Sequence, residues 1–464
     1  MDRGKDAPQH YRTLVIDEIS SPMQASMVQG VLIGDEMGLG KSAMALGVAQ
    51  ALQAKSVLIV CTSTLRQNWV REIKKCLGRT DVDVLYGTKP RSVRSDFAII
   101  GYDVLYAWLD MLSAEVLIFD EVHSVKSWKA RRTKASVELS DKIRKRNGVV
   151  LGLSGTPVLN RPTEMAAILR VLGVLDLMGG VDKLAEVSAD PKRLVAFNNV
   201  LRKTCYVRRK KIDVLSELPE KRWVKLIVEG EKRKMAEYRA AEKDIVLFLA
   251  KRAKELVSQN GGDLREQMDA SWKAALRAES AQYLVAITHL RRLALEAKKE
   301  AVYEWVEQFK DTGRKLVAFG WHREPLLSLA EKYGCGLVIG GLSDQEKQEV
   351  IDDFQDSEGK WLIGCSLKSG GVGITLTQAS DVLFMEQGWN PADMDQAVDR
   401  CHRIGQRDSV TGWVTVCADT IDEDIVELID QKRKMFESIV EGRSADQDGG
   451  SVFADLIVRL AQKI

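Results

Sequence analysis

With 464 residues, 45% hydrophobic and 29% charged, the chain is long enough for two or three domains with sizeable cores and has the balance of a soluble globular protein. Its formal net charge of +2 neither requires nor excludes nucleic acid, so a polyanion site has to be a local basic patch. Seven cysteines occur singly with no C-x-x-C pair, which argues against a zinc site or disulfide framework and for a reducing compartment.

The first residues, Met1-Asp-Arg-Gly-Lys-Asp6, lack the apolar stretch of a signal peptide, and no apolar run reaches membrane-spanning length. The expectation is a cytoplasmic protein with no membrane partner. Val31–Ile33 then reads as a buried strand and Ala43–Leu52 as a helix, joined by a glycine-rich turn ending in Gly40-Lys41-Ser42. Such a turn can wrap backbone N–H groups around phosphates, add a lysine charge and offer a hydroxyl to Mg²⁺. The usual pattern has glycine five residues before Gly40, where this chain has Asp35; a tight strand-to-helix turn with an exposed lysine is the alternative.

Further short apolar runs follow at Val57–Cys61, Phe97–Gly101, Val116–Asp120 and Val149–Ser154, separated by helical stretches. Buried strands alternating with helices predict a parallel α/β sheet, whose ligands sit at the carboxyl ends of the strands. Lys41, Ser63, Asp120 and Ser154 fall at those ends. Asp120-Glu121-Val122-His123 can hold Mg²⁺ through the aspartate and position a water through the glutamate, or can be two solvated carboxylates opening a loop. Ser154-Gly-Thr-Pro157 can link such a site to neighbouring segments, or be a plain turn.

Arg208-Arg-Lys-Lys211 opens a charged, largely helical region to about Glu300, interrupted at Asn260-Gly-Gly262. A second α/β series comes next, with a helix face of Val302, Trp305, Val306 and Phe309. Its strands are expected at Lys315–Gly320, Leu337–Ile339, Trp361–Cys365, Val382–Met385 and Trp413–Cys417. In Asp395–Gln406, Arg400 and Arg403 stand three apart, hence on one helical face. Two guanidiniums there suit a γ-phosphate, or a salt-bridged surface helix. The tail after Glu441 is polar and then amphipathic from Val452.

Taken in order, Asp35–Ser42, Asp120–His123, Ser154–Pro157 and Gln396–Gln406 resemble the motor of helicase superfamily two. The wording is similar to its SWI/SNF branch of double-stranded DNA translocases: Asp35-Glu-Met-Gly-Leu-Gly-Lys41, Val60–Trp69, Arg208-Arg-Lys-Lys211 with Leu218-Pro219, Trp389-Asn-Pro391 and His402-Arg-Ile-Gly-Gln406. The resemblance covers about residues 20 to 435 and is closest to the annealing-helicase side. It implies two RecA-like lobes, residues 1–225 and 301–441, with a short helical insert at 226–300 and a tail at 442–464. It also implies a DNA-dependent ATPase that uses Mg²⁺, moves on double-stranded or branched DNA and remodels DNA structures or protein–DNA complexes. A monomer is the expected state and a protein partner is left open, as are a strand-separating helicase on RNA or single strands and an ATP-gated binding subunit of a repair or restriction assembly. Missing accessory modules point to a bacterial or viral source; in a eukaryote the expected location is the nucleus.

By position, the resemblance assigns Gln24 to adenine, Gly38, Gly40, Lys41 and Ser42 to the phosphates, Asp120 with Ser42 to Mg²⁺, and Glu121 to catalysis. Arg400 and Arg403 match arginine fingers from the second lobe. Ser63, Thr64, Arg66 and Tyr102 in the first lobe, and Lys368, Ser369, Gly370 and Trp389 in the second, match DNA-contacting positions. Thr375 replaces an asparagine common in relatives, and Lys347 an arginine.

Overall fold

The computed structural model describes residues 16–21, 23, 29–125, 127–155, 164–188, 191–215, 217–259, 283–367, 374–441 and 452–462. The chain divides into two compact units, residues 1–218 with 435–447, and residues 219–434 with 448–464. Each is an α/β unit built on one parallel sheet, as the alternation of apolar runs and helices predicts.

In the first unit seven strands run β1 Gly30–Ile33, β2 Val57–Cys61, β3 Val82–Leu85, β4 Phe97–Gly101, β5 Val116–Asp120, β6 Val149–Leu153 and β7 Tyr206–Val207. Their spatial order is β3-β4-β2-β5-β6-β1-β7, all parallel. Runs such as Val-Leu-Ile-Val-Cys in β2 are buried at every position, because helices cover both faces of such a sheet. Register sets where the strands stop. Ile33 lies opposite Leu153, and Leu153 opposite Asp120, so β1, β6 and β5 end level with one another. The chain leaving them becomes one rim, carrying the loop after β1, Glu121 after β5 and Ser154 after β6. Helices α1 Lys41–Ala51 and α2 Arg66–Leu77 pack on the sheet through Met44, Leu46 and Val48, and through Trp69 and Ile73. Helix α3 Arg131–Arg144 does so through Ala135, Leu139 and Ile143, and α4 Glu164–Leu172 lies beside it.

The second unit holds six parallel strands: β8 Lys221–Val228, β9 Leu316–Gly320, β10 Gly336–Val338, β11 Leu362–Ser366, β12 Asp381–Phe384 and β13 Val410–Cys417, in the order β10-β11-β9-β12-β13-β8. Strand β8 revises the expected boundary at residue 225. It pairs with β13 through all eight of its residues, Lys221 opposite Val410 to Val228 opposite Cys417, so the second unit starts at Pro219. The expected insert at 226–300 is revised as well. Beyond the end of β8 it contributes helix α5 Lys232–Gln259 and the first part of helix α6 Leu284–Lys310, which continues unbroken past residue 300. Helix α6 buries Ile287, Leu290, Ala294, Val302, Val306 and Phe309 in the second unit, and α5 packs along it through Tyr238. These helices belong to the second core. Lys298 on α6 is 1% exposed, and its ammonium donates to Asp422 Oδ2 at 2.7 Å and to Thr415 O at 3.0 Å.

Candidate functional site

The loop after β1 turns into α1 through Gly38 at φ 87° and Gly40 at φ 85°, left-handed conformations that glycine adopts without a Cβ penalty. Gly40 is the N-cap of α1, and neither a capping side chain nor an acidic residue occupies the first turn. The N–H groups that begin a helix have no intrahelical acceptor and favour an anion. Lys41 Nζ donates back to its own loop, to Asp35 O at 2.8 Å and Glu36 O at 3.3 Å, so its charge sits over the turn. Burial lowers the Lys41 pKa, opposed by the charges of Glu121, Asp35 and Asp120. An ammonium held over the turn by two backbone carbonyls, beside the α1 N-terminus, is placed to meet the phosphates of a nucleotide.

Asp35, where the usual pattern has glycine, has a structural use. Its Oδ1 accepts from Arg209 N at 2.7 Å, while Glu36 N donates to Arg209 O and Glu36 Oε2 accepts from Lys211 N. Arg208 Nη1 donates to Gly34 O at 2.6 Å and to Gly155 O at 3.2 Å. The basic tetrad Arg208–Lys211 therefore fastens the glycine-rich loop to the segment after β6. The structure turns Arg208 inward to backbone carbonyls.

Asp120 closes β5. Its Oδ2 accepts from Trp69 Nε1 at 2.8 Å and its Oδ1 from Glu121 N at 2.9 Å. Burial pushes the Asp120 pKa up, the neighbouring Glu121 charge adds to this, and the Trp69 hydrogen bond and Lys41 oppose it. Glu121 stands at φ 48°, a conformation that side-chain-bearing residues adopt rarely and at a cost, often where function holds them. Its Oε2 lies 3.3 Å from His123 Nδ1, and that nitrogen is 3.1 Å from Ser154 Oγ. Lys41, Asp120, Glu121, His123 and Ser154 are thus gathered at one sheet rim. Trp69 belongs with them; it closes the Val60–Trp69 stretch, but nothing in its spacing pointed to Asp120. Gln24, Thr156 and Pro157 lie outside the described residues.

Of the positions matched to DNA contacts, Ser63 is exposed on the turn before α2, and Thr64 shares that turn. The Arg66 guanidinium lies 4.3 Å from the centre of the Tyr86 ring and donates to Ser63 O and Leu85 O. Tyr102 is corrected. It is 3% exposed, its hydroxyl donates to Asp120 O at 2.9 Å, and it supports the end of β5 from within the core.

In the second unit, helix α7 Pro391–Val398 ends before the two arginines. The expectation of one shared helical face is therefore corrected: Arg400 and Arg403 lie in the turns beyond it. Arg400 is 4% exposed, whereas Arg403 is half-buried, with Nη1 donating to Thr375 Oγ1 at 2.8 Å and Nε to Asp399 O at 3.0 Å. The Thr375 hydroxyl thus has a defined partner here. His402 and Gln406, from the quoted stretch His402–Gln406, make contacts within the second unit. His402 Nε2 pairs with Pro219 O at 2.6 Å, and Gln406 Nε2 donates to Thr377, Ala379 and Cys401 carbonyls while its Oε1 accepts from Arg407 N and Asp408 N. Trp389 is half-buried, edge-on to Phe453 with ring centres 5.2 Å apart and 4.4 Å from the Arg291 guanidinium. Lys368, Ser369 and Gly370 lie outside the described residues, among which no helix is long and apolar enough to cross a membrane.

With this geometry in place, the chain was compared with known proteins. Residues 21–298 match the model of the SNF2-related domain, and residues 297–405 that of the helicase conserved C-terminal domain. The Caenorhabditis elegans SWI/SNF-related matrix-associated actin-dependent regulator of chromatin subfamily A-like protein 1 homolog is 29% identical over 87% of this chain and 58% of its own length. The Xenopus tropicalis protein of the same name is 28% identical over 87% of this chain and 42% of its own. The human DNA annealing helicase and endonuclease ZRANB3 is 26% identical over 89% of this chain and 39% of its own. The chain therefore spans about half the length, or less, of these relatives.

Proposed function

The chain belongs to the SNF2-related family, and from that premise we propose that it is an ATP hydrolase whose turnover depends on DNA and drives movement along the double helix. The observation that carries the reading is the convergence of Lys41, Asp120, Glu121 and Ser154 on the rim of a single parallel sheet, beside an α1 N-terminus without an acidic first turn.

In this reading the α1 N-terminus and Lys41 bind the phosphates of ATP, and Gln24 reads adenine. Glu121, held in a left-handed backbone conformation, orients the attacking water and takes its proton. His123 links that carboxylate to Ser154 Oγ, so the segment after β6 registers the state of Glu121. The donor chemistry of one carboxylate, Asp120, with the Ser42 hydroxyl supports Mg²⁺ as the ion. Mg²⁺ typically takes one or two carboxylates, with substrate phosphates completing its shell. Asp120 and Ser42 would hold it, and the ion would offset charge on the phosphates. Arg403, held by Thr375, and Arg400 are the side chains of the second unit proposed to act on the γ-phosphate. Ser63, Thr64 and Arg66 are the proposed DNA contacts of the first unit, and Lys368, Ser369, Gly370 and Trp389 those of the second; phosphate contacts release counterions, which makes binding salt-sensitive.

The deciding experiment is ATP hydrolysis by the purified protein, alone and with duplex, forked or single-stranded DNA or RNA. Strong stimulation by duplex or forked DNA, followed by ATP-dependent displacement of a triplex-forming strand, is the expected result. Stimulation by single strands or RNA alone would replace the translocase with a strand-separating helicase.

A further inference from the structure

The stretch Lys126–Arg146 carries nine Lys and Arg against two Asp and Glu, in a chain whose overall charge is nearly balanced. Helix α3 buries its apolar face on the sheet and leaves Arg131, Arg132 and Lys134 exposed, as are Lys145 and Arg146 just beyond its end. Beside it lies a cavity of about 700 Å³ whose walls include Trp128, Lys134, Lys142, Lys145, Arg146 and Arg170. None of these residues belongs to the nucleotide site.

Five cationic side chains line the cavity against two carboxylates, Glu138 and Asp141. Asp141 is already taken, since Arg170 grips both its oxygens at 2.7 and 2.8 Å and Arg144 pairs with it as well. Lys142 donates to Leu109 O, and Arg146 to Ser113 Oγ. Lys134 and Lys145 line the same cavity, Lys145 close enough to Asp141 to help hold that carboxyl's pKa down. Trp128, 42% exposed, forms part of the same wall. Its indole gains little there from packing, and a cationic cavity is a poor home for an apolar ligand. An aromatic face beside spaced cations matches one chemistry well, a strand of nucleotides with its bases unpaired.

We infer that this cavity binds a single-stranded segment of nucleic acid, a base stacking on Trp128 while successive phosphates meet Lys134, Lys145 and Arg146. Length supports a strand over a free nucleotide: eleven residues at 1.5 Å rise place Lys134 and Lys145 about 16 Å apart. A duplex hides its base faces inside the stack and offers Trp128 nothing to cover. An acidic protein segment would satisfy the lysines and leave the indole idle. The inference stands independently of the proposed ATPase.

The test is fluorescence anisotropy of labelled (dT)20 with the full chain, without ATP, across a salt series. Lys134→Ala/Lys145→Ala is expected to weaken binding at least tenfold at low salt and to flatten the log–log salt dependence by about 1.4, two contacts at roughly 0.7 each on single strands. Trp128→Ala is expected to weaken it roughly 5- to 150-fold, the range for one base–aromatic stack, with Trp128→Phe restoring most of the loss. Losses on duplex of equal length should be smaller, and ATP hydrolysis without nucleic acid should be unchanged. Wild-type affinity in both Trp128→Ala and the lysine variant would overturn the inference. So would lysine variants that lose (dT)20 and polyglutamate equally while Trp128→Ala loses neither, which marks an acidic-protein surface. Should Trp128→Ala prove unfolded by its melting profile, Trp128→Phe and the lysine pair decide.

Discussion

Glu121 shows how much of the site depends on one backbone conformation. Its left-handed φ of 48° costs about 1–3 kcal/mol in a residue with a side chain, and the neighbouring chain holds it there: Asp120 Oδ1 accepts its N–H, and His123 meets its carboxylate. Glu121→Gln keeps size and backbone but loses the base, so hydrolysis should fall about 10²–10⁴-fold while ATP remains bound. Single-turnover hydrolysis beside nucleotide binding separates the two, and wild-type turnover would remove Glu121 from its role. Arg403 allows a finer test. Its guanidinium is aimed by Thr375 Oγ1, so Thr375→Ala should lower kcat about fivefold, the worth of one hydrogen bond, without raising the KM for ATP. Arg403→Ala should cost about 10³-fold or more. Equal kcat for Thr375→Ala and wild type would mean that the hydroxyl plays no part in aiming the arginine.

At the level of elements, what was legible in the sequence and what was not divides along the range of the interactions. Strands β2, β4 and β5 stand where their apolar runs predict, because continuous burial leaves a local signature. Strand β3, Val-Asp-Val-Leu, and the two-residue β7 have too short a signature, and β8, Lys-Arg-Trp-Val-Lys-Leu-Ile-Val, mixes charge into its apolar run because it is an edge. Their pairing partners lie far away in sequence. The nucleotide loop was readable from glycine spacing, whereas Trp69 on Asp120 and Arg208 on Gly34 were not, since both contacts are products of topology. Strand β3 carries a feature of this hidden kind. Asp83 accepts from Arg94 N at 2.6 Å, Ser95 N at 3.0 Å and Arg91 Nη1 at 2.8 Å, tying the 91–95 loop to the sheet edge. Burial acts to raise its pKa, and these hydrogen bonds outweigh it, bringing the value down to about 2. A depressed carboxyl stabilises the fold above its unfolded pKa near 4, and that contribution disappears as pH falls towards 2. Asp83→Ala should therefore destabilise by about 1–3 kcal/mol at pH 7 and by progressively less between pH 4 and 2. Denaturant melts at several pH values check this; a pH-independent loss would assign the effect to packing.

Across the whole molecule, the two units differ in how their sheets end, and the boundary between them can be tested. The second unit closes with β8 paired along the full length of β13, and the turn before it is pinned by His402 on Pro219 O and by Lys221 on Asp399. Without β8, the backbone edge of β13 would lie bare, and a long bare edge pairs with other chains. Trp223, stacked on Phe384 with ring centres 5.6 Å apart, would leave with it. A fragment of residues 219–464 should therefore fold and stay soluble, while 229–464, which keeps every helix of this unit, should aggregate or lose cooperative melting. The buried Lys298–Asp422 pair gives an internal gauge of the folded fragment. Removing one partner strands a charge and should cost about 3–5 kcal/mol, so Lys298→Met should lower its melting temperature sharply, and Lys298→Met/Asp422→Leu should recover part of the loss. Equal behaviour of the two fragments would return β8 to the linker and move the boundary beyond it. A soluble 219–464 that is indifferent to Lys298→Met would mean that α6 docks on the second core only in the intact chain.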